Sequence, residues 1–211
     1  MPGACTSIVG VKMRALSAGI GMIVAAAVLP SLQACAPVDA AGTVVTGPAQ
    51  ERGFTGAVSD TAIRTEINAL WINHNVQIAT DIGLSVTEGR VLLTGKVTDP
   101  QLRVDAVRLA WQADGVREVI NEIQVAEKEG GVGDYARDSW IATRLRTALL
   151  FDGAVRSINY SIDVVDGTVY LMGIARNQAE LDRVMGHARQ LPYVKRVVNY
   201  AVLRNDPERR S

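Results

Sequence analysis

Gly89-Arg90-Val91-Leu92-Leu93-Thr94-Gly95 returns 78 positions later as Gly167-Thr168-Val169-Tyr170-Leu171-Met172-Gly173. The match extends outward from this stretch. Ile63 falls on Ile141, Ile67 on Leu145, and Val119-Ile120-Asn121 on Val197-Val198-Asn199. Asp60 to Val125 overlays Asp138 to Leu203 without a gap. Self-similarity at a fixed offset sets the domain count before any other reading. The 211-residue chain is therefore two copies of one module of about 66 residues. Units that small bury limited apolar surface, and a second copy packed alongside can supply some of the missing burial.

Each copy reads as helix-strand-strand-helix-strand. Ile63, Ile67, Leu70 and Trp71 have helical spacing, and Ile141, Leu145, Ala148 and Leu149 repeat it. Asp60 stands where a helix cap is expected. Residues 82–87 alternate with the period of a strand, Glu88-Gly89 supplies a two-residue turn, and residues 90–96 return. Asp166-Gly167 gives the same hairpin signal more strongly. Gly95 and Gly173 read as strand ends where close approach or a bend is needed. Asp99-Pro100 starts a second helix, which Gly115 ends, and Asn177 caps its counterpart. Residues 116–125 and 194–203 close each copy as a third strand. The expected class is α+β, with two helices on one face of a three-stranded mixed sheet in each copy.

The segment before the repeats reads as an address. Lys12-Met13-Arg14 is basic, residues 15–29 carry no charge, and Leu32-Gln33-Ala34-Cys35 follows. That is the pattern of a secretory signal, too short to span a bilayer. Leu32 to Cys35 also resembles a bacterial lipobox, in which the cysteine thiol is diacylated and the bond before it is cut. Cys35 is thus the expected lipidation site. Several acyl chains give stable attachment where one is marginal. By resemblance to enterobacterial lipoprotein sorting, Ala36 in place of Asp implies export to the outer membrane. A start at Met13 would give a compact signal without Cys5. The expected boundaries are a signal peptide over 1–35, a flexible tether over 36–59 and the first module over 60–125. A glycine-bearing linker over 126–137, the second module over 138–204 and a frayed polar tail over 205–211 complete the chain.

Composition excludes several functions. Lysine plus arginine equals aspartate plus glutamate at 22 each and aromatics are 5%, so nothing points to nucleic acid. Cys5 and Cys35 both precede the modules, and the two histidines, His74 and His187, have no histidine counterparts across the repeat. No metal site, cofactor site or nucleophile arrangement is expected, and no enzymatic activity. Asp163 and Asp166 read as strand-end and turn residues.

Gly89-x-Val91-x-Leu93-x-Gly95-x-Val97, a second helix, and Gly115-Val116-x-x-Val119-x-Asn121 together resemble the BON domain. Gly167-x-Val169-x-Leu171-x-Gly173 and Val194-x-x-Val197-x-Asn199 repeat the pattern, departing at Ala175 and at Tyr193, where the family usually has valine and glycine. With the lipobox, the chain resembles dual BON-domain outer-membrane lipoproteins. The resemblance implies a periplasm-facing protein without catalytic residues that binds anionic phospholipid and supports outer-membrane integrity. The alternative is an adaptor for envelope assembly proteins in which the lipid only anchors.

The copies differ in charge. Residues 60–125 hold six basic and nine acidic side chains, and residues 138–203 hold eight and six. An anionic membrane attracts a nearby lysine or arginine by about 1 kcal/mol each, which favours the second copy. Trp140, where the first copy has Ala62, forms an outward stripe with Arg144 and Thr147. The resemblance places phospholipid binding on this helix, making Trp140, Ile141, Arg144 and Arg146 the candidate contacts.

Overall fold

The computed structural model describes residues 53–127 and 131–210. The leader, Cys35 and most of the tether lie outside the described residues, as do 128–130 and Ser211. The first module runs α1 (Gly53–His74), α2 (Val76–Asp81), β1 (Ile82–Thr87), β2 (Arg90–Val97), α3 (Pro100–Ala110) and β3 (Glu118–Val125). The second runs α4 (Val132–Phe151), a 3-10 turn (Ser157–Asn159), β4 (Tyr160–Val165), β5 (Thr168–Ala175), α5 (Gln178–Gln190), β6 (Arg196–Asn199) and β7 (Val202–Leu203).

The sheets are mixed, as expected. β2 lies between antiparallel β1 and parallel β3, and β5 lies between antiparallel β4 and parallel β6 and β7. Helices cover one face of each sheet. Ile67, Trp71, Val86, Val91, Leu93 and Ala106 are fully buried in the first core. The Trp71 indole N–H donates to the Ala106 carbonyl at 3.2 Å, which satisfies the one polar atom of that side chain. Ile141, Leu145, Val169, Leu171, Val184 and Ala188 occupy the equivalent core of the second module.

Several local expectations are corrected. Asp60 lies inside α1 rather than capping it, because the helix already covers the described residues from Gly53 onward, and its counterpart Asp138 lies inside α4, which starts at Val132. The last residues of the expected tether and linker are therefore helical. Each aspartate instead reaches the hairpin turn. Asp60 accepts from the amides of Glu88 and Gly89 at 2.9 and 3.0 Å, and Asp138 from those of Asp166 and Gly167 at 2.7 and 2.8 Å. The turn residues have positive φ, 54° and 74° in the first module and 48° and 72° in the second. That is the type I′ conformation matching strand twist. Turn amides outside the ladder need a partner, and the carboxylate ties the hairpin to its covering helix.

Three further differences are local. Asn75 starts the unforeseen α2 by accepting from the Gln77 amide at 2.9 Å. α3 ends at Ala110, several residues before Gly115, which sits at φ 87° in the following turn. The closing strand of the second copy is split at residues 200–201, although its register with β5 is kept on both sides of the break. Near this point Asn199 accepts from the Ala201 amide at 3.0 Å, as Asn121 does from the Ile123 amide at 3.1 Å.

The second copy does supply burial to the first, and it does so through the outer sheet faces, which pack against each other. Leu92, Tyr170 and Met172 are almost wholly buried there, with Ile120, Val165, Val198 and Tyr200 around them. Every residue of β5 is buried, as in strands covered on both faces. The expected frayed tail is also docked: Pro207–Arg210 forms a 3-10 turn. Arg209 holds Glu88 of the first module through two bonds of 2.6 Å and gives a third to the Arg204 carbonyl at 2.8 Å. Arg117 donates to the Arg209 carbonyl at 2.9 Å.

Candidate lipid-facing surface

α4 is long enough to serve two faces. Ile141, Leu145 and Leu149 turn inward and are at most 1% exposed. Trp140, Arg144, Thr147 and Phe151 follow one another at spacings of four, three and four, which is one helical stripe. All four are exposed, Phe151 to 82% and Trp140 to 39%. Leu150, 67% exposed, borders Phe151.

Tyr193, from the loop after α5, completes the surface. Its ring meets Trp140 edge to face, with centroids 5.9 Å apart and planes at 76°. The Arg144 guanidinium lies 5.6 Å from the Trp140 centroid, and that of Arg137 lies 5.8 Å from the Tyr193 centroid. Two rings are thus held between two cations, each contact worth about 0.5–1 kcal/mol at an exposed position. Lys195 adds charge beside them and donates to Asp166 at 2.8 Å. That hydrogen bond holds the Asp166 carboxyl below its ordinary pKa.

The structure divides the four residues expected from sequence. Trp140 and Arg144 are brought together on the surface. Ile141 is fully buried in the core rather than on the stripe. Arg146 turns away from the stripe, donates to the Ile162 carbonyl at 2.6 Å and faces a groove between the modules. Phe151, Arg137 and Tyr193 are the additions. Phe151 was readable from its spacing to Trp140. Tyr193 was visible only as the departure from glycine.

That departure has a conformational cost. Tyr193 has φ 69°, a left-handed conformation that costs an ordinary residue about 1–2 kcal/mol. Its first-module counterpart is Gly115, at φ 87°. Replacing Tyr193 by glycine removes that strain and also the ring contacts, so stability is expected to change by less than about 1 kcal/mol. Binding to anionic vesicles is expected to fall about fivefold, through loss of an interfacial ring. Urea midpoints and vesicle sedimentation of the same variant check both halves.

The first module offers no equivalent surface. Ala62 and Glu66 stand at the positions of Trp140 and Arg144, and Glu66 accepts from the Asp114 amide at 3.2 Å. Each histidine is paired within its own module, His187 with Asp152 at 2.8 Å and His74 with Asp105 at 3.3 Å. Among the described residues, no group of three or more His, Cys, Asp or Glu side chains could hold a metal ion, and no helix is long and apolar enough to cross a membrane.

The BON domain matches residues 59–127 and again 137–205. The chain belongs to the BON-domain family, with two tandem copies. It is 41% identical to the "Uncharacterized protein in gshII 5'region" of Anaplasma centrale over 153 residues, 72% of this chain and 100% of that protein. It is 32% identical to the Osmotically-inducible protein Y of Escherichia coli K12, over 67% of this chain and 71% of that one. It is 28% identical to the Outer membrane lipoprotein DolP of Haemophilus influenzae, over 79% of this chain and 87% of the relative.

Proposed function

We propose that this protein is a lipid-anchored, periplasm-facing component of the outer membrane. It binds anionic phospholipid through its second module and supports membrane integrity without catalysing a reaction. Acylated Cys35 supplies the anchor. The observation that carries the reading is the exposed Trp140–Tyr193 pair held between Arg144 and Arg137. Amphipathic rings favour the headgroup region, and arginines beside them favour anionic headgroups. Kinship with an outer membrane lipoprotein supports the location.

The test is co-sedimentation of the protein lacking residues 1–35 with phosphatidylglycerol-containing vesicles. Trp140→Ala combined with Arg144→Glu is expected to weaken binding at least about tenfold, since charge reversal alone changes attraction by about 2 kcal/mol. Wild-type binding should fall as salt is raised. Unchanged binding in the double variant removes α4 from the site.

A second reading, an adaptor for envelope assembly proteins, is supported by the first module. Val104 on α3 and Trp111, the residue that follows its last turn, are 52% and 51% exposed on a module of net negative charge. Absence of vesicle binding by the wild type, with a protein crosslinked through Trp111, would favour it.

A further inference from the structure

We propose that the junction between the two sheets is a recognition surface for unlike modules: corresponding positions of the two copies meet across a local two-fold axis, and there the copies carry complementary residues. The axis is defined by contacts at the repeat offset itself. Ser85 donates to Asp163 at 2.9 Å, and the two residues are 78 positions apart. Tyr200 donates to Glu122, again 78 apart. Leu92 and Tyr170 share the buried cluster between the sheets, with Ile120 and Val198 packed against it; both are repeat pairs. A position that touches its own counterpart must lie on or beside the rotation axis relating the copies, as in an isologous contact.

Each polar axis pair joins a donor to an acceptor. The serine and tyrosine hydroxyls donate, and the aspartate and glutamate carboxylates accept. Burial, followed by the Glu122 contact, pushes the Tyr200 phenol up to about 12, so it remains a donor at neutral pH. The apolar pair joins a smaller side chain, Leu92, to a larger one, Tyr170. Pairing like with like would spoil two of the three in either case, leaving only a hydroxyl pair intact. Two first modules would oppose Glu122 to Glu122 and leave space at Leu92. Two second modules would oppose Asp163 to Asp163 and crowd Tyr170 against Tyr170. Specificity of this kind comes from penalising wrong partners as well as rewarding the right one. The sheet face of each module therefore accepts the other type and refuses its own.

The experiment is a reciprocal exchange in the otherwise intact chain. Tyr200→Glu sets two carboxylates together on the axis, and Ser85→Asp does the same at the other polar pair. Each is expected to lower Tm by about 5 °C or more. E122Y/Y200E and S85D/D163S restore one donor and one acceptor in exchanged positions, and each double variant should recover at least half of the loss. A residue whose role lay within its own module, and not against its counterpart, would gain nothing from the second substitution. Single variants melting with the parent, or doubles as unstable as the summed singles, would overturn the proposal. If Tyr200→Glu gives no folded protein, the Ser85 and Asp163 pair carries the test.

Discussion

Gly173→Ala should cost the second module about 4 kcal/mol or more, enough to leave it largely unfolded at ordinary temperatures. Gly173 lies inside β5 opposite Tyr160, with φ 151°. A Cβ there would collide with the carbonyl oxygen of Asn159 and come within 3.0 Å of Tyr160 Cα. Both obstacles are backbone, so no side-chain rotation relieves them. Gly95 faces the carbonyl of Asp81 in the same way at φ 140°, and alanine there should damage the first module similarly. Gly186 in α5 is the control. Nothing lies within 4 Å of its added Cβ, so Gly186→Ala should be neutral or gain up to about 1 kcal/mol. Urea denaturation followed by circular dichroism separates the three variants.

Arg209→Ala is expected to cost about 3 kcal/mol, lowering Tm by roughly 6–12 °C. Arg209 comes from the tail of the second module and Glu88 from the first hairpin, and their side chains are only 6% and 19% exposed. Removing the guanidinium leaves a mostly buried carboxylate without its two charge-assisted bonds. Arg209→Lys keeps the charge but loses the paired geometry, and should lose an intermediate amount. Calorimetry supplies the check. The loss should be accompanied by separation of one melting transition into two, because the pair joins the modules. A variant melting at the parental temperature would reduce the tail to a surface ornament.

The module fold was legible because its determinants are local. Turn glycines, the period-two strands, the Asp99-Pro100 start and the Asn177 cap all act within a few residues. Asp60 was misread for the opposite reason. A cap and a long-range turn ligand use the same side chain, and its partners lie 28 and 29 positions away. The sheet junction left a trace in the unbroken apolar run of β5, but sequence alone could not name what covered its second face. In the candidate site, the outward stripe through Trp140 and Arg144 was readable from helical spacing. The meeting of Trp140 with Tyr193 was not, because it depends on where a loop 53 residues later returns.

Asn121 and Asn199 bear on how densely such a protein can be stored. Tyr200 donates its amide to Leu171 of the neighbouring strand, so the next amide, that of Ala201, points to the open side of the sheet. The Asn199 side chain occupies it, and Asn121 occupies the Ile123 amide in the first module. An open strand is a template for adding another chain, and polymerisation begins where its donors are vacant. Here a donor on the closing strand of each module is already engaged by the module itself. Copies crowded side by side on one surface would have a weakened route to end-to-end fibre growth.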